Sequence, residues 1–260
     1  MRQLSISAAW EEARAILQRD GGLLLTVALA LVALPSLVSS LINPQGMSAS
    51  SSPWLELITF IGSIIALAGQ LALIRLAIGP SVTVGGAIGH GLRRMPIYFV
   101  AVLILVVGAF VLAIPCVFVL GALGVPLNAK PIPVTGPVVL VSLLLVAVLI
   151  FFGVRLLMSS AIASAEDVGP IGILTRSWKL TAGHWWPLFG FLLIFVVSAL
   201  VLLLAVGAAV GSVVTLLLGA PQPMSTAALV IGLVQALVSA GITTLFAVML
   251  ARIYLQLRGD

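Results

Sequence analysis

Residues 83–123 read TVGGAIGHGLRRMPIYFVAVLILVVGAFVLAIPCVFVLGAL, and the rest of the chain can be read from their pattern. Val84, Ala87, Ile88, Gly91, Leu92 and Met95 fall at helical spacing on one arc, while His90, Arg93 and Arg94 lie off it. Thr83 stands where a capping hydroxyl belongs, with the β-branched Val84 behind it. From 96 to 123 no charged residue occurs. That run exceeds the roughly 20 apolar residues needed to cross a bilayer. The elementary unit is therefore a capped amphipathic helix leading straight into a membrane span.

The same unit stands on either side. Upstream, Ser5-Ile6 opens a segment in which Ile6, Ala9, Trp10, Ala13, Ile16 and Leu17 share an arc opposite Glu11, Arg14 and Gln18. Downstream, Asp167-Val168 opens a third, 167–182, with Val168, Ile171, Leu174 and Trp178 spaced for one face. Six apolar runs are long enough to span: 22–42, 54–79, 96–123, 137–160, 187–218 and 226–257. The second span of each pair returns to an arginine: Arg75, Arg155 and Arg252. The expected fold is all-α and integral to a membrane. It has six transmembrane helices in three hairpin units, each preceded by a cytoplasmic interfacial amphipathic helix. A single polytopic domain, 1–260, would hold pseudo-repeats at about 1–80, 81–165 and 166–260. Because each unit has an even number of spans, the three point the same way, which disfavours an inverted-repeat transporter.

Composition agrees. Of 260 residues 62% are hydrophobic and 7% charged, too little charge to keep a soluble protein dispersed and far too much apolar surface for disorder. The net charge of +5 is spread between apolar runs, with no basic face or stacking aromatics for nucleic acid. Eleven of the twelve Lys and Arg flank the connections on one side, and only Lys130 lies on the other. By the positive-inside rule both termini are cytoplasmic. The single Cys116 permits no internal disulfide and no cysteine-based metal site.

Candidate binding residues are the cations at the cytoplasmic boundary: Arg75, Arg155, Arg252, Arg176 and Lys179. Two readings stand. Each arginine snorkels to the headgroup layer and anchors a helix end, or the guanidinium forks hold an anionic lipid phosphate around a cytoplasmic cavity. His90 and His184 have no carboxylate cluster beside them, so no metal is expected. Glu56 is placed to snorkel to the outer boundary. Gln70 and Gln235 are read as interhelical hydrogen-bonding groups, Gly207 and Gly211 as a close-packing pair, and Trp178, Trp185 and Trp186 as an interfacial belt. No nucleophile, base and orienter can be assembled, the remaining acids are placed as caps or surface charges, and no phosphate-cradling glycine loop is present. Neither catalysis nor a cofactor is expected.

Residues 155–191 carry a more specific pattern: a membrane Arg155, the stretch Glu166-Asp167-Val168-Gly169-Pro170, then Thr175-Arg176-Ser177-Trp178-Lys179-Leu180-Thr181-Ala182-Gly183-His184-Trp185-Trp186. This resembles the glycerophosphoryl diester phosphodiesterase membrane domain family, bacterial proteins with an Arg-Ser-Trp, Leu-Thr, Gly-x-x-Trp stretch before a long apolar helix. The resemblance implies a bacterial inner-membrane location and the membrane region alone. The catalytic barrel of that family would need a His-Arg pair, whereas His90 is followed by Gly91 and His184 by Trp185. The expected function is a non-enzymatic multi-pass module that binds membrane lipids, through their anionic headgroups, or a membrane protein partner. Nucleic acid is not an expected partner, and the oligomeric state is open. The alternative is a small transporter with a pathway between the three hairpins, for which the spans offer few polar groups beyond Gln70 and Gln235.

Overall fold

The computed structural model describes residues 5–42, 53–79, 83–126 and 133–259. Arg2, Lys130, the repeat boundary at 80/81 and most of the outer connections expected at 43–53 and 125–136 lie outside these. Among the described residues there is no strand. The helices are α1 (Ile6–Ala28), a π-helical turn (Leu29–Ala33), α2 (Leu34–Ile42), α3 (Pro53–Ile78), α4 (Val84–Ala122), α5 (Gly136–Arg155), α6 (Ser159–Ala165), α7 (Pro170–Leu180), α8 (Trp185–Leu218) and α9 (Thr226–Arg258).

Six of the resulting stretches are long and apolar enough to cross a membrane: Ile6–Ile42, Pro53–Ile78, Val84–Ala122, Gly136–Ala165, Trp185–Leu218 and Thr226–Arg258. The molecule is thus built as a multi-pass helical membrane protein. The surface bears this out, because Phe110, Phe118, Leu140, Leu204 and Leu216 on α4, α5 and α8 all face outward. Such a surface is costly in water and costs nothing against acyl chains.

Two helices are longer than a span requires. At 1.5 Å per residue the 39 residues of α4 reach about 58 Å, nearly twice the hydrocarbon thickness, so its first turns must lie beyond it. No break separates the amphipathic segment from the span, and the helix runs through Pro96 and Pro115. The stretch from Ile6 to Ile42 is continuous too, but it contains the π turn just ahead of Pro35. A proline cannot donate to the carbonyl four residues back and its ring collides with it, and a widened turn relieves both.

The fold has a core and a periphery. α3 packs along α4 and against α9, and α9 also carries α1, α2 and α8. Small residues allow the close approaches: a Cβ on Gly91 would stand 2.6 Å from the Ala68 carbonyl oxygen, one on Gly69 2.7 Å from Leu31 Cβ, and one on Gly232 2.2 Å from Ser40 Oγ. Of the Gly207 and Gly211 pair, only Gly207 faces a neighbour, with Gln235 Nε2 at 3.3 Å from its Cβ position, while Gly211 is open.

The three opening segments share a register, and the sequence misplaced only the third of them, by two residues. Ser5 and Thr83 cap as expected, accepting from the Ala8 and Gly86 backbone N–H. The third helix, however, is capped at Gly169, not Asp167, because Pro170 supplies the fixed φ of a first helical residue. Counted from Ser5, Thr83 and Gly169, the fourth and eighth residues are Ala9 and Ala13, Ala87 and Gly91, Ile173 and Ser177, and all six are buried. The face assignments change with it. Trp10, Leu92 and Ile171, expected on the stripes, are exposed, and Trp178 is partly exposed while its ring packs on Phe151 and Phe152. Arg94, expected off the stripe, is buried on it. The fourth span also ends early, at Arg155, where a turn over 156–158 leads into α6.

Gly91→Ala should therefore lower the melting temperature in detergent markedly, by an overpacking cost of about 1–3 kcal/mol. Gly85→Ala, whose added methyl meets nothing within 4 Å, should be neutral or mildly stabilising. Intrinsic tryptophan fluorescence during a thermal ramp reads both.

Candidate functional site

The segment 164–167 joins four helices. Glu166, in extended backbone just after α6, accepts a hydrogen bond from the Tyr254 hydroxyl at 2.7 Å through Oε1 and pairs with Arg176 Nε at 2.5 Å through Oε2. Tyr254 is fully buried in α9. Asp167 pairs with Arg94 of α4. The Ser164 hydroxyl donates to the Leu71 carbonyl of α3 at 2.9 Å, and the Ser164 carbonyl lies 2.9 Å from His90 Nε2. Glu166 and Asp167, expected as a cap and a surface charge, thus tie α4, α7 and α9 together. The signal available in the sequence was the preceding Ser159-Ser160-Ala161-Ile162-Ala163-Ser164 run, all buried: so many small residues mark a helix crossed closely on several sides.

The five cations singled out in the sequence have different surroundings. Arg252 donates through Nη2 to the Ala77 carbonyl at 2.7 Å and stands 3.9 Å from Glu12. Arg176 is neutralised by Glu166. Arg75 shares the neighbourhood of His90 with Arg93 and Arg94. Arg155 is different in kind. Its guanidinium lies 5.0 Å from the centre of the Trp178 ring and 5.7 Å from that of Phe151, and its Nε and Nη1 are buried with no hydrogen-bond partner among the described residues. Lys179, one residue beyond Trp178, is exposed and forms no ion pair among the described residues.

Why Arg155 sits there follows from the helix end. α5 stops at Arg155, so its carbonyl has no acceptor role within the helix. The hydroxyls of Ser177 on α7 and Thr181 at its C-terminal end, both buried, donate to it at 3.0 Å. Pinning the backbone there turns the side chain into an aromatic cluster, in which Phe151 packs on Trp178 and Trp185, and Trp185 stacks on Phe189 at 5.0 Å. Two more polar atoms, His184 Nδ1 and Trp185 Nε1, are buried there without partners among the described residues. Buried polar atoms are nearly always satisfied; four of the five side-chain atoms buried without a partner among the described residues gather in this cluster, and the fifth is Arg252 Nε.

Beside this cluster runs a groove of about 990 Å³ between α4, α5 and α7. Ile104, Gly108, Leu112, Phe152 and Gly153 line its apolar length, and Thr175, Trp178 and Lys179 its end. A second groove of about 450 Å³ lies between α1, α8 and α9, with Trp10, Phe195 and Leu202 along it and Glu11 at its end. A third cleft, of about 460 Å³ between α2 and α3, is lined by Ser36, Ser39, Ser40, Thr59 and Ser63. Of these, Ser36, Ser40, Thr59 and Ser63 donate to their own helix carbonyls, so the cleft offers mainly acceptor lone pairs. No group of three His, Cys, Asp or Glu able to hold a metal occurs among the described residues.

A family described as a domain of unknown function, DUF7847, matches residues 4–257. The chain belongs to that family. No curated protein and no solved structure matches it. The DUF7847 assignment thus covers all the spans and the cationic end of the bundle and carries no activity with it.

The Glu166 to Tyr254 bond is the testable joint of this site. Tyr254→Phe and Glu166→Gln should each destabilise the folded protein by about 1.5–3 kcal/mol, the usual worth of a hydrogen bond to a charged group. Their double variant should cost clearly less than the two single losses added, as expected of partners. Unfolding titrations in mixed micelles provide the measurement.

Proposed function

We propose that this DUF7847 chain is a non-enzymatic multi-pass membrane module of the bacterial inner membrane. It recognises net-anionic lipid at its cytoplasmic face, and both termini lie on that side. Three hairpin units, 1–80, 81–165 and 166–260, each open with an interfacial helix, and the shared register at the fourth and eighth residues after Ser5, Thr83 and Gly169 supports this division. So does the seating of each opening helix on the unit before it: Gly91 against Ala68 and Ala72 of α3, Ser177 against the Arg155 carbonyl, and Ser5, through its backbone N–H, against Gln256 at 3.2 Å. The resemblance of 155–191 to the glycerophosphoryl diester phosphodiesterase membrane domain points the same way, since that region is the non-catalytic part of its family.

One observation carries the lipid reading: Arg155 keeps buried N–H donors without an acceptor among the described residues, in an aromatic cluster that also holds Trp178. A guanidinium so placed is partly stripped of water and positively charged, so it draws an anionic phosphate toward the Trp178 ring that covers it. Lys179, exposed next to Trp178 in the chain and in no ion pair among the described residues, offers the charge that the phosphate can reach. Arg252 and Arg176 serve the fold, being bound to Ala77 and Glu12 and to Glu166. The transporter alternative has the hydroxyl-lined cleft of α2 and α3 in its favour, but that cleft carries no charged side chain along its walls.

Native mass spectrometry of protein purified with equal phosphatidylglycerol and phosphatidylcholine should show the anionic lipid retained preferentially. Arg155→Gln combined with Lys179→Gln should reduce that retention roughly tenfold, the equivalent of one charge-assisted hydrogen bond, while Arg14→Gln leaves it unchanged. Equal retention of both lipids by the unmodified protein would reject the proposal.

A further inference from the structure

We propose that one phospholipid occupies the groove between α4, α5 and α7, with an acyl chain along Gly108 and Gly153 and its phosphate at the Lys179 and Arg155 end. The proposal rests on the lipid reading above and adds to it a defined site, a single occupant and an orientation.

Three features of the groove select that occupant. Its walls are apolar except at one end, where Thr175 and Lys179 stand. A long apolar slot with a cation at its mouth complements an amphiphile with an anionic head and matches neither a water-soluble anion nor a neutral hydrocarbon. The mouth is flanked by Trp178, whose ring forms the groove wall and also packs on the guanidinium of Arg155. A second positive charge with unsatisfied donors therefore lies directly behind the wall. The length is kept open by glycines: a Cβ at Gly108 or at Gly153 would meet nothing within 4 Å. Glycine is costly inside a helix, by about 1 kcal/mol against alanine, and no close helix contact explains either one. An open groove wall explains both.

The smaller groove between α1, α8 and α9 provides the contrast. It is built from the corresponding parts, an opening helix laid over the two spans of the preceding unit, with Trp10 and Glu11 five and six residues after the cap Ser5 as Leu174 and Thr175 are after Gly169. Among the described residues its lining carries Glu11 and no lysine or arginine. An anionic headgroup is repelled there, so the two grooves separate by charge although their architecture is alike.

The test uses phosphatidylglycerol with a photoactivatable diazirine midway along one acyl chain, added to the full-length protein in micelles. Irradiation and peptide mapping should place the label on the stretches containing Gly108 to Leu112 and Phe152, with no comparable labelling of Ile194 to Leu202. Gly108→Leu combined with Gly153→Leu fills the groove without meeting another atom at Cβ, and should cut that labelling at least tenfold, about 1.4 kcal/mol of lost affinity. Thermal melting of this variant, unchanged or raised, shows that the fold is kept. If labelling falls mainly on the Ile194 to Leu202 stretch, or is unchanged by the filled groove, while retention still depends on Arg155 and Lys179, the groove assignment is wrong and the lipid reading survives. If labelling does not distinguish phosphatidylglycerol from a phosphatidylcholine probe, both fall.

Discussion

A helix that ends in or near a bilayer leaves its last four carbonyls without partners, in surroundings where water supplies few substitutes. The long-range polar contacts of this protein are largely answers to that constraint. The Leu41 carbonyl at the end of α2 receives the Met224 backbone N–H at 2.9 Å, and Met224 takes a positive φ of 60° to deliver it. The Ala77 carbonyl receives Arg252, the Arg155 carbonyl is met by Ser177 and Thr181, and the Ser164 carbonyl faces His90. Each donor comes from a distant part of the chain, so satisfying the helix ends also determines which helices are neighbours.

The result is a chain closed on itself. The capped helix at the start of the protein lies on α9, the last span, and the second such segment lies on α3. The third lies on α4 and α6, its Ser177 and Thr181 hydroxyls reaching the end of α5. Glu166 completes the closure by holding Tyr254 and Arg176 at once. An ion pair on an exposed surface contributes little, but a carboxylate bonded to a buried phenol is costly to disturb, since the phenol would be left unpaired. Against this rigid frame α4, α5 and α8 present apolar faces to their surroundings. In the cluster around Arg155, two of its own nitrogens together with His184 Nδ1 and Trp185 Nε1 are buried without partners among the described residues, and the proposed headgroup site follows from that cluster.

Much of the fold was legible in the sequence for a simple reason: a membrane span is specified by length and apolarity, both one-dimensional. All six long apolar helices were found, four of them with boundaries within five residues, while the first and third run on without a break from their opening segments and so begin at Ile6 and Val84; the Ser5 and Thr83 caps were readable because a hydroxyl before a β-branched residue has a local cause. The third cap was misplaced because two signals competed, Asp167 as a side-chain cap and Pro170 as a first helical residue, and the backbone constraint of proline prevailed. The burial of Arg94 was unreadable because it is set by packing between distant helices, and its ion pair with Asp167 because the partner stands 73 positions away. The same holds for Glu166 and Tyr254, 88 positions apart. For the candidate site, Arg155 and Lys179 could be named from their boundary position. What separates Arg155 from Arg176, the want of an acceptor among the described residues, is a property of packing alone, as is the Ala77 carbonyl that Arg252 reaches through Nη2 while its own Nε stays without one.

The closure of the chain on itself is most directly tested by joining its ends. With Cys116 replaced by serine, cysteines at Ser5 and Gln256, whose native contact spans 3.2 Å, would be treated with a short thiol-reactive bifunctional linker. Rapid cross-linking within one chain is expected, seen as a protein whose fragments stay joined after cleavage in a connecting loop, with no such product when the second cysteine is at Trp54 instead. Absence of the Ser5 to Gln256 product from a correctly folded, labelled protein would contradict the seating of the first helix on the last span.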